Sequence, residues 1–286
     1  MKNNKTILIT GGNSQLSHAF IKLKDKYLYK IISLNHKELD ITNPYSIDDA
    51  IQKFKPYIII NTAAYNDVDK AENDIDNVYK VNVVGVKNIA LACLSHNIKM
   101  VHYSTDYVFD GKKKEPYTEL DKTNPLSVYG KSKLAGENIL KFICPKHFII
   151  RTSWLFGNGN NFVQSILKII RNGKIHLKVV NDQIGSPTYT EDLARVTFDI
   201  IETDLYGIYH MSNNGECSWY DFAKEIIKIM GLSIDIESIK TEDLNQIAIR
   251  PKYSTLKNQI LEQTIGDNFR QWDDALEEYL FNYIII

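Results

Sequence analysis

Five short runs of apolar, mostly β-branched residues alternate with longer helical patterns in the first half of the chain. Each run is continuously apolar, which is typical of a strand buried on both faces of a parallel sheet. This succession predicts right-handed crossovers and a doubly wound sheet. Asn43-Pro44 predicts a turn, with Ser46 as the N-cap of the next helix. The runs are KTILIT from Lys5, YKIISLN from Tyr29, YIIINTAA from Tyr57, KMVHYSTD from Lys99 and HFIIRTSW from His147.

The pattern changes after Trp154, where helical NFVQSILKIIRNG gives way to strand-like IHLKVVNDQIGSPTY. Two further helical patterns follow, TEDLARVTFDIIE and the amphipathic SWYDFAKEIIKIMG. The predicted fold class is therefore α/β, with a Rossmann-type doubly wound parallel sheet and a smaller C-terminal α/β lobe. We expect residues 1–153 to form the Rossmann domain, with a segment of about 186–212 returning to it, and residues 154–286 to form mainly the lobe.

Composition excludes several classes of protein. The formal net charge of −1 disfavours a chain that binds nucleic acid through its phosphates. No run of about 18 apolar residues is present, so no membrane span is expected. The N-terminal MKNNKTILIT lacks a signal-peptide pattern, and a cytoplasmic location is predicted. Cys93, Cys144 and Cys217 are far apart and predicted to be core residues, and no metal site is predicted.

A glycine-containing turn follows the first predicted strand, in the order Thr10-Gly11-Gly12-Asn13-Ser14-Gln15-Leu16-Ser17. A turn of this kind between strand and helix is where the diphosphate of a dinucleotide binds, because N–H groups and the positive helix end point at it. Extended short-chain reductases carry Gly-x-x-Gly-x-x-Gly here, whereas Ser14 and Ser17 occupy the second and third glycine places in this chain. Serine is a mild replacement, and its hydroxyl is able to donate to a phosphate.

The end of the second predicted strand indicates which dinucleotide binds. Sites that prefer NAD place a carboxylate there for the ribose 2′-hydroxyl. This chain has Asn35, His36 and Lys37 instead, and the last two are suited to a 2′-phosphate. NADPH is therefore the predicted cofactor, with NADH as the alternative. Asp40 and Ile41, a few residues later, are predicted to lie beside the adenine.

Tyr129 and Lys133 are four residues apart in SVYGKSK, so on a helix they lie on one face. A ketone reductase needs a proton donor at the carbonyl oxygen, and a neighbouring ammonium favours ionisation of a tyrosine. We therefore expect Lys133, the positive nicotinamide ring of the cofactor and desolvation together to lower the pKa of Tyr129. Thr105 ends the fourth predicted strand, at the sheet edge where functional groups gather, and its hydroxyl is expected beside Tyr129.

A series of segments, in the same order, resembles the dTDP-4-dehydrorhamnose reductase family of the extended short-chain dehydrogenase/reductases. The resemblance covers nearly the whole chain. The segments are NTAA from Asn61, VDKAE from Val68, STDYVFDG from Ser104, SVYGKSKLAGE from Ser127, RTSWLFG from Arg151, GNNFV from Gly159, DQIGSPTYTEDLA from Asp182, SNNGECSWYDFA from Ser212 and RPKYS from Arg250.

The resemblance implies roles at matching positions. Tyr129 would donate the proton, Lys133 would support it and bind the cofactor ribose, and Thr105 would complete the catalytic set. The cofactor would contact Gly11, Asn13, Ser14, Gln15 and Leu16, then Asp40 and Ile41, and Ala63, Ala64 and Tyr65. The nucleotide-sugar would contact Thr105, Asp106, Trp154, Asn161, Gln183 and Arg250. Asn66 stands where some members have threonine, which leaves the sugar and nucleotide preference open.

The predicted reaction is NADPH-dependent reduction of the C4 keto group of dTDP-4-dehydro-L-rhamnose to dTDP-L-rhamnose. One alternative is another 4-keto sugar nucleotide, such as a UDP-linked one, or a combined epimerase/reductase. Epimerase-reductase relatives have a cysteine near the place of Tyr107, so its absence favours reduction alone. Another alternative is a non-catalytic NADP-binding regulatory subunit like that of methionine adenosyltransferase. The predicted partner is a nucleotide-sugar, without nucleic acid or membrane, and a homodimer is one option for assembly.

Overall fold

The computed structural model describes residues 5–284, which form twelve strands and eleven α-helices. The strands are β1 Thr6–Thr10, β2 Lys30–Leu34, β3 Ile58–Asn61, β4 Lys99–Thr105, β5 His147–Thr152, β6 Leu155–Phe156, β7 His176–Val180, β8 Ile184–Gly185, β9 Thr188–Tyr189, β10 Gly207–His210, β11 Cys217–Ser218 and β12 Asp235–Ile239. The helices are α1 Gln15–Leu23, α2 Pro44–Phe54, α3 Val68–Ala71, α4 Ile75–Tyr79, α5 Val86–Ser95, α6 Val128–Ile143, α7 Phe162–Arg171, α8 Thr190–Ile201, α9 Trp219–Ile229, α10 Gln259–Ile265 and α11 Trp272–Ile284.

The main sheet contains six strands in the order β2-β1-β3-β4-β5-β10. All five neighbouring pairs are parallel, which confirms the predicted doubly wound α/β fold. The chain passes from β1 to β2 on one side and then to β3 on the other, so the strand order reverses between β1 and β3. In such sheets the crevice outside the carboxyl ends at this reversal is the usual ligand site.

The two faces of the sheet carry separate hydrophobic cores, since successive strand residues point to opposite sides. Ile7 and Ile9 face a core that includes residues of α1 and α8, such as Phe20 and Phe198. Leu8 faces the other core, which includes buried residues of α2, α5 and α6. This double coverage accounts for strands that are apolar along their whole length.

The first turn of α2 differs from the prediction. Asn43 is the N-cap, because its side chain accepts from the Tyr45 N–H, and Pro44 is the first helical residue. Proline fits this position because its missing N–H would have no partner within the helix. Ser46 therefore lies inside the helix, where its hydroxyl accepts from the Asp40 N–H. The prediction of Ser46 as the N-cap was wrong.

A smaller group of elements follows β5. The parallel pair β7–β12 packs with α7, α9 and α11 around a third core that contains Leu177, Phe222 and Leu276. However, α8 and β10 belong to the main sheet and its covering layer, although they follow β7 in the chain. The chain thus leaves the main sheet after β5 and returns to it before entering the small lobe again.

A continuous helix from Ile75 to Ser95 joins α4, a π-helical segment over Lys80–Gly85, and α5. The helix has 21 residues, and an 18-residue window within it has a mean hydropathy of 1.2, which meets the length and composition of a membrane span. Val86, Ile89 and Ala90 are buried in the core between this helix and the sheet. Its apolar character therefore serves packing against a parallel sheet.

All three cysteines are buried and free, as predicted for core residues. Cys93 and Cys144 lie in the core beneath α5 and α6, and Cys217 lies in that of the small lobe.

Candidate active site

A cavity of about 260 Å³ lies at the carboxyl ends of the main-sheet strands, which we call the central cavity. It is lined by residues from the turn after β1, the ends of β3, β4 and β5, and the face of α6. The lining residues are Ser14, Gln15, Leu16, Asn61, Thr62, Ala63, Ala64, Asn66, Tyr103, Ser104, Thr105, Asp106, Tyr129, Lys133, Thr152, Ser153, Trp154 and Leu155.

The turn between β1 and α1 depends on the missing side chain of Gly11. This residue has a φ of 69°, and a Cβ there would lie 2.7 Å from the Ala63 nitrogen. The turn therefore packs directly on the backbone that follows β3. Any larger residue would be strained in this conformation and would also separate the two segments.

Ser14 and Ser17 occupy the two places where a glycine was expected. Ser14 is the N-cap of α1, because its hydroxyl accepts from the Ser17 N–H at 3.1 Å, and it also hydrogen bonds to the Thr62 hydroxyl at 2.8 Å. Ser17 is fully buried and hydrogen bonds to the Ser33 hydroxyl at 2.7 Å. The hydroxyl that replaces the third glycine thus has a partner on β2, so the helix still packs closely on the sheet.

A second cavity of about 420 Å³ adjoins the central cavity on the β2 side, and the two share Ser14, Thr62, Ala63, Ala64 and Asn66. We call it the β2-side cavity. It brings together most of the residues predicted to contact the cofactor beyond its diphosphate. Its other lining residues are Gly11, Asn13, His36, Leu39, Asp40, Ile41, Thr42, Tyr65 and Val81.

Asn35 and Lys37 do not line the β2-side cavity. Asn35 shapes the turn after β2, since its side chain accepts from the Lys37 N–H at 2.9 Å and its own N–H donates to Glu38. Lys37 is exposed. His36, the remaining member of the predicted set, does line the cavity and lies 3.9 Å from an oxygen of Asp40.

A dinucleotide fits this pair of cavities. They run together along the reversal between β1 and β3, past the turn at Gly11. The first turn of α1 presents N–H groups that have no partner within the helix, which suits an anion. The residues that would hold the diphosphate are Gly11, Asn13, Ser14, Gln15 and Leu16.

Tyr129 and Lys133 lie on the face of α6 that points into the central cavity. The helix begins there because the Ser127 hydroxyl accepts from the Gly130 N–H. Gly130 allows close approach, since a Cβ at this position would collide with the Tyr107 carbonyl oxygen. Thr105, at the end of β4, lines the same cavity, so the three predicted catalytic residues meet in one place.

Burial has the largest effect on the pKa values of Tyr129 and Lys133. It raises the pKa of Tyr129 to about 12, and the hydrogen bond with Thr105 opposes that rise only in part. Burial also lowers the pKa of Lys133 to about 8, opposed by the negative charge of Glu137 one helical turn further. The Lys133 ammonium donates to the Tyr103 carbonyl oxygen at 2.5 Å. The expectation that desolvation helps to lower the Tyr129 pKa was therefore wrong, because burial disfavours the charged phenolate and raises that pKa.

Asn82 is a buried residue that the sequence analysis did not single out. Its amide oxygen accepts from the Tyr65 N–H at 2.9 Å, and its amide nitrogen donates to the Tyr65 carbonyl and the Ser132 hydroxyl. Ser132 in turn donates to the Tyr129 carbonyl oxygen at 2.7 Å. This side chain therefore ties the loop after β3 to the first turn of α6. It lies in the π-helical segment, a distortion that is frequent at functional sites.

Polar atoms at the far end of the central cavity point to a ligand. Among residues 5–284, no group hydrogen bonds to the Ser104 or Thr152 hydroxyl, although both are buried on neighbouring strands. Asp106 is also buried, which raises the pKa of its carboxyl to about 6, and it accepts from the Thr105 hydroxyl at 3.0 Å. Buried hydroxyls without a protein partner are suited to binding the hydroxyl groups of a sugar.

A third cavity of about 670 Å³, the lobe cavity, lies in the small lobe and extends to Tyr107, which follows β4. Gln183 and Arg250 line it, together with Phe162 and Trp219, which sequence reasoning missed. Trp219 stacks on Trp154 of the central cavity, with ring centroids 3.6 Å apart, so the two cavities share an aromatic wall. The other lining residues are Tyr107, Ser165, Ile166, Ile169, Lys174, His176, Leu177, Lys178, Val179, Val180, Leu244 and Gln246.

Asn161 lines neither the central nor the lobe cavity. It is the N-cap of α7, where its side chain accepts from the Gln164 N–H. Its amide nitrogen donates to the Gly157 and Gly159 carbonyl oxygens at 2.8 and 3.0 Å. These bonds shape the loop that leads from β6 into the lobe.

Comparison with known proteins identifies the family. Residues 5–285 match the family model described as the RmlD substrate binding domain. The chain is 44% identical to dTDP-4-dehydrorhamnose reductase of Aggregatibacter actinomycetemcomitans, over 95% of this chain and 97% of that protein. It is 40% identical to the spore coat polysaccharide biosynthesis protein SpsK of Bacillus subtilis, over 96% of each.

Solved structures agree. A dTDP-4-dehydrorhamnose reductase from Clostridium acetobutylicum superposes with a TM-score of 0.94 at 45% identity, covering 98% of this chain and 100% of that one. The Bacillus anthracis enzyme, solved in complex with NADP, gives a TM-score of 0.95 at 38% identity, covering 98% and 99%. The chain belongs to the dTDP-4-dehydrorhamnose reductase family.

Proposed function

We propose that the chain catalyses NADPH-dependent reduction of the C4 keto group of dTDP-4-dehydro-L-rhamnose to dTDP-L-rhamnose. The observation that carries the proposal is the meeting of Thr105, Tyr129 and Lys133 in a cavity next to the turn after β1. The relatives named for this reaction, and the NADP complex of one of them, support the same assignment.

The cofactor is assigned to the two cavities that share Ser14 and Ala63. When bound, NADPH supplies the hydride that reduces the carbonyl carbon. The turn at Gly11 would hold its diphosphate, and His36 and Asp40 would lie at its adenosine end. Lys133 reaches the central cavity beside Tyr129, where its ammonium would donate to the nicotinamide-side ribose.

Tyr129 is assigned as the proton donor. With a pKa of about 12 its phenol is protonated throughout the physiological range, so it is ready to donate to the keto oxygen. The oxygen that forms at C4 is a much stronger base than a phenolate, so a raised pKa does not prevent the transfer. The Thr105 hydroxyl, within hydrogen-bonding reach of Tyr129, orients the phenol toward the same oxygen.

The two parts of the chain would divide the ligands between them. We assign the cofactor to residues 1–153 with the returning segment of about 186–212, and the nucleotide-sugar mainly to residues 154–286. The lobe cavity supports this division, since it combines aromatic and apolar walls with Lys174, Lys178 and Arg250 for an anionic nucleotide. NADPH and nucleotide-sugars are cytoplasmic metabolites, so a cytoplasmic location is proposed as well, and a homodimer stays a prediction.

A second candidate substrate is the unepimerised 4-keto-6-deoxyglucose nucleotide. A dTDP-4-keto-6-deoxy-D-glucose reductase of Streptomyces niveus is 31% identical over 95% of this chain. Asn66 lines the central cavity at a position where some family members have threonine. Because this residue differs, the unepimerised sugar and UDP-linked sugars are tested as substrates as well. A regulatory, non-catalytic role is disfavoured because the catalytic set is complete.

The test is an assay of NADPH oxidation with dTDP- and UDP-linked 4-keto-6-deoxy sugars, with the products identified by mass and NMR. We expect turnover without any partner protein and the highest kcat/KM for dTDP-4-dehydro-L-rhamnose. Tyr129→Phe should lower kcat by about 10²- to 10⁴-fold, because the general acid is lost. Tyr45→Phe, at an exposed tyrosine, is the matched control. Unchanged turnover in Tyr129→Phe would exclude Tyr129 as the acid.

A further inference from the structure

The segment 244–250 has no regular secondary structure and borders the lobe cavity, and we call it the strap. Its Leu244, Gln246 and Arg250 side chains line that cavity, whereas Ile247 and Ile249 are exposed. The strap is therefore a wall of the proposed nucleotide-sugar site that is built from irregular backbone. Such a wall needs contacts from elsewhere to hold its shape.

One carboxylate receives four hydrogen bonds from three residues at the end of the strap. The backbone N–H groups of Ile247 and Ala248 donate to Asp69 Oδ1, each at 3.0 Å. The Arg250 guanidinium donates to both oxygens, at 3.1 Å to Oδ1 and 2.6 Å to Oδ2. Asp69 lies on α3, so these bonds join the helix after β3 to the strap across the sequence.

Arg250 continues the connection toward the reacting centre. Its guanidinium also donates to the Ala248 carbonyl oxygen at 3.1 Å, which fixes its orientation, and Arg250 lines the lobe cavity together with Tyr107. The Tyr107 ring meets the Tyr129 ring edge to face, with centroids 5.8 Å apart. A shift of Arg250 would therefore affect both the lobe cavity and the residue packed on the proposed proton donor.

A second carboxylate holds the chain just before the strap. The backbone N–H and the hydroxyl of Thr241 donate to Asp182 Oδ1 at 2.8 and 2.7 Å. Gln183, a lining residue of the lobe cavity, also donates to the Thr241 hydroxyl. The strap is thus fixed at its start within the lobe and at its end by Asp69.

We propose that Asp69 is a positioning residue: it fixes the strap and aims the Arg250 guanidinium at the diphosphate of the nucleotide-sugar. This inference rests on the proposed function, since it takes the lobe cavity as the nucleotide-sugar site. A paired guanidinium with fixed geometry suits a diphosphate because its remaining donors are already oriented. The hydrogen bonds from Arg250 also hold the pKa of Asp69 below its usual value, so the pair is charged at neutral pH.

The variant Asp69→Asn distinguishes two possible roles of Asp69: positioning the strap, or only contributing a negative charge. If the charge of Asp69 were all that mattered, its removal near an anionic ligand would strengthen binding and lower KM. If Asp69 positions the strap, the Asn amide nitrogen faces the Arg250 donors, the geometry is lost and KM rises. The two roles thus predict changes of opposite sign.

We expect Asp69→Asn to raise KM for the keto-sugar nucleotide by about tenfold or more, with a smaller change in kcat and unchanged affinity for NADPH. Binding of dTDP, measured by calorimetry, should weaken to a similar extent. Amide hydrogen exchange in a peptide spanning the strap should become faster, because Ile247 and Ala248 lose their acceptor. Asp76→Asn, on an exposed acidic residue of α4, is the matched control and should change none of these values.

The exchange measurement distinguishes failure of this inference from failure of the proposed function. Normal exchange and an unchanged or lowered KM in Asp69→Asn would overturn the positioning role, even if the wild-type chain reduces the keto-sugar. If instead the wild-type chain fails to bind dTDP or to oxidise NADPH with any 4-keto sugar, the proposed function is wrong. Faster exchange in the variant would then leave Asp69 with a structural role alone, which also contradicts the inference.

Discussion

Arg151 and Glu137 form a buried ion pair near the proposed catalytic residues. The loss of stability on breaking this pair can be predicted from the structure. Arg151 is 3% exposed and Glu137 is fully buried. Two parallel bonds join them, from Nε to Oε1 at 3.0 Å and from Nη2 to Oε2 at 2.8 Å. Replacing Arg151 by Met keeps most of the side-chain volume but leaves the carboxylate without its partner.

We expect Arg151→Met to lower the free energy of unfolding by about 3–5 kcal/mol, the usual cost of leaving one buried charge unpaired. For a chain of this size that corresponds to a decrease in Tm of roughly 10 °C. The double variant Arg151→Met/Glu137→Leu should recover most of the loss, because it removes the isolated carboxylate as well. Thermal unfolding followed by circular dichroism at neutral pH measures both.

Lys228→Met is the control for removal of a cation from the surface. Lys228 is 75% exposed and pairs with Glu225 at 2.9 Å in contact with solvent, so its loss should change the Tm very little. The reasoning is refuted if Arg151→Met has a Tm within about 2 °C of the wild type. It is refuted equally if the double variant is no more stable than Arg151→Met.

Two further predictions concern activity. Since burial lowers the pKa of Lys133 to about 8, kcat/KM should fall as the pH rises above about 8 and the ammonium is lost. The residual activity of Lys133→Arg should lack this decline, because an arginine side chain stays charged in this pH range. If the activity of the wild type declines only above pH ~10, the role assigned to Lys133 is contradicted. Because His36 lines the β2-side cavity, His36→Asp should reduce the ratio of kcat/KM for NADPH to that for NADH by about tenfold or more. Lys37→Ala, which alters an exposed residue outside that cavity, should change the ratio much less.

The main sheet was predictable from the sequence because its strands are local features. The apolar runs of β1, β3, β4 and β5 are almost wholly buried between the two layers of helices, so a single segment carries the signal, whereas β2, at the edge of the sheet, is only partly buried. The proposed catalytic residues were also predictable from local features, because Thr105 ends a strand and Tyr129 and Lys133 are four residues apart on one helix. The turn at Gly11 was also recognisable from a few consecutive residues.

The rest of the site depends on contacts between distant segments. Trp219 joins the aromatic wall only because α9 packs against the exit of β5, and nothing near it in the sequence indicates this. Asn82 lies within a long helical pattern, and the sequence does not distinguish a buried asparagine that bonds to a distant loop from an exposed one. Asn161 was predicted to bind the ligand, and in the structure its side chain caps α7. The sequence around an asparagine does not show which of these two roles it has.

The return of α8 and β10 to the main sheet has a consequence for folding during synthesis. When the ribosome has made residues 1–153, Ile7, Ile9 and Phe20 still lack the α8 side chains that complete their core. That face of the nascent sheet stays apolar and open until about residue 211 has left the exit tunnel. A fragment that ends at residue 153 is therefore expected to aggregate, and one that extends through β10 should be more soluble.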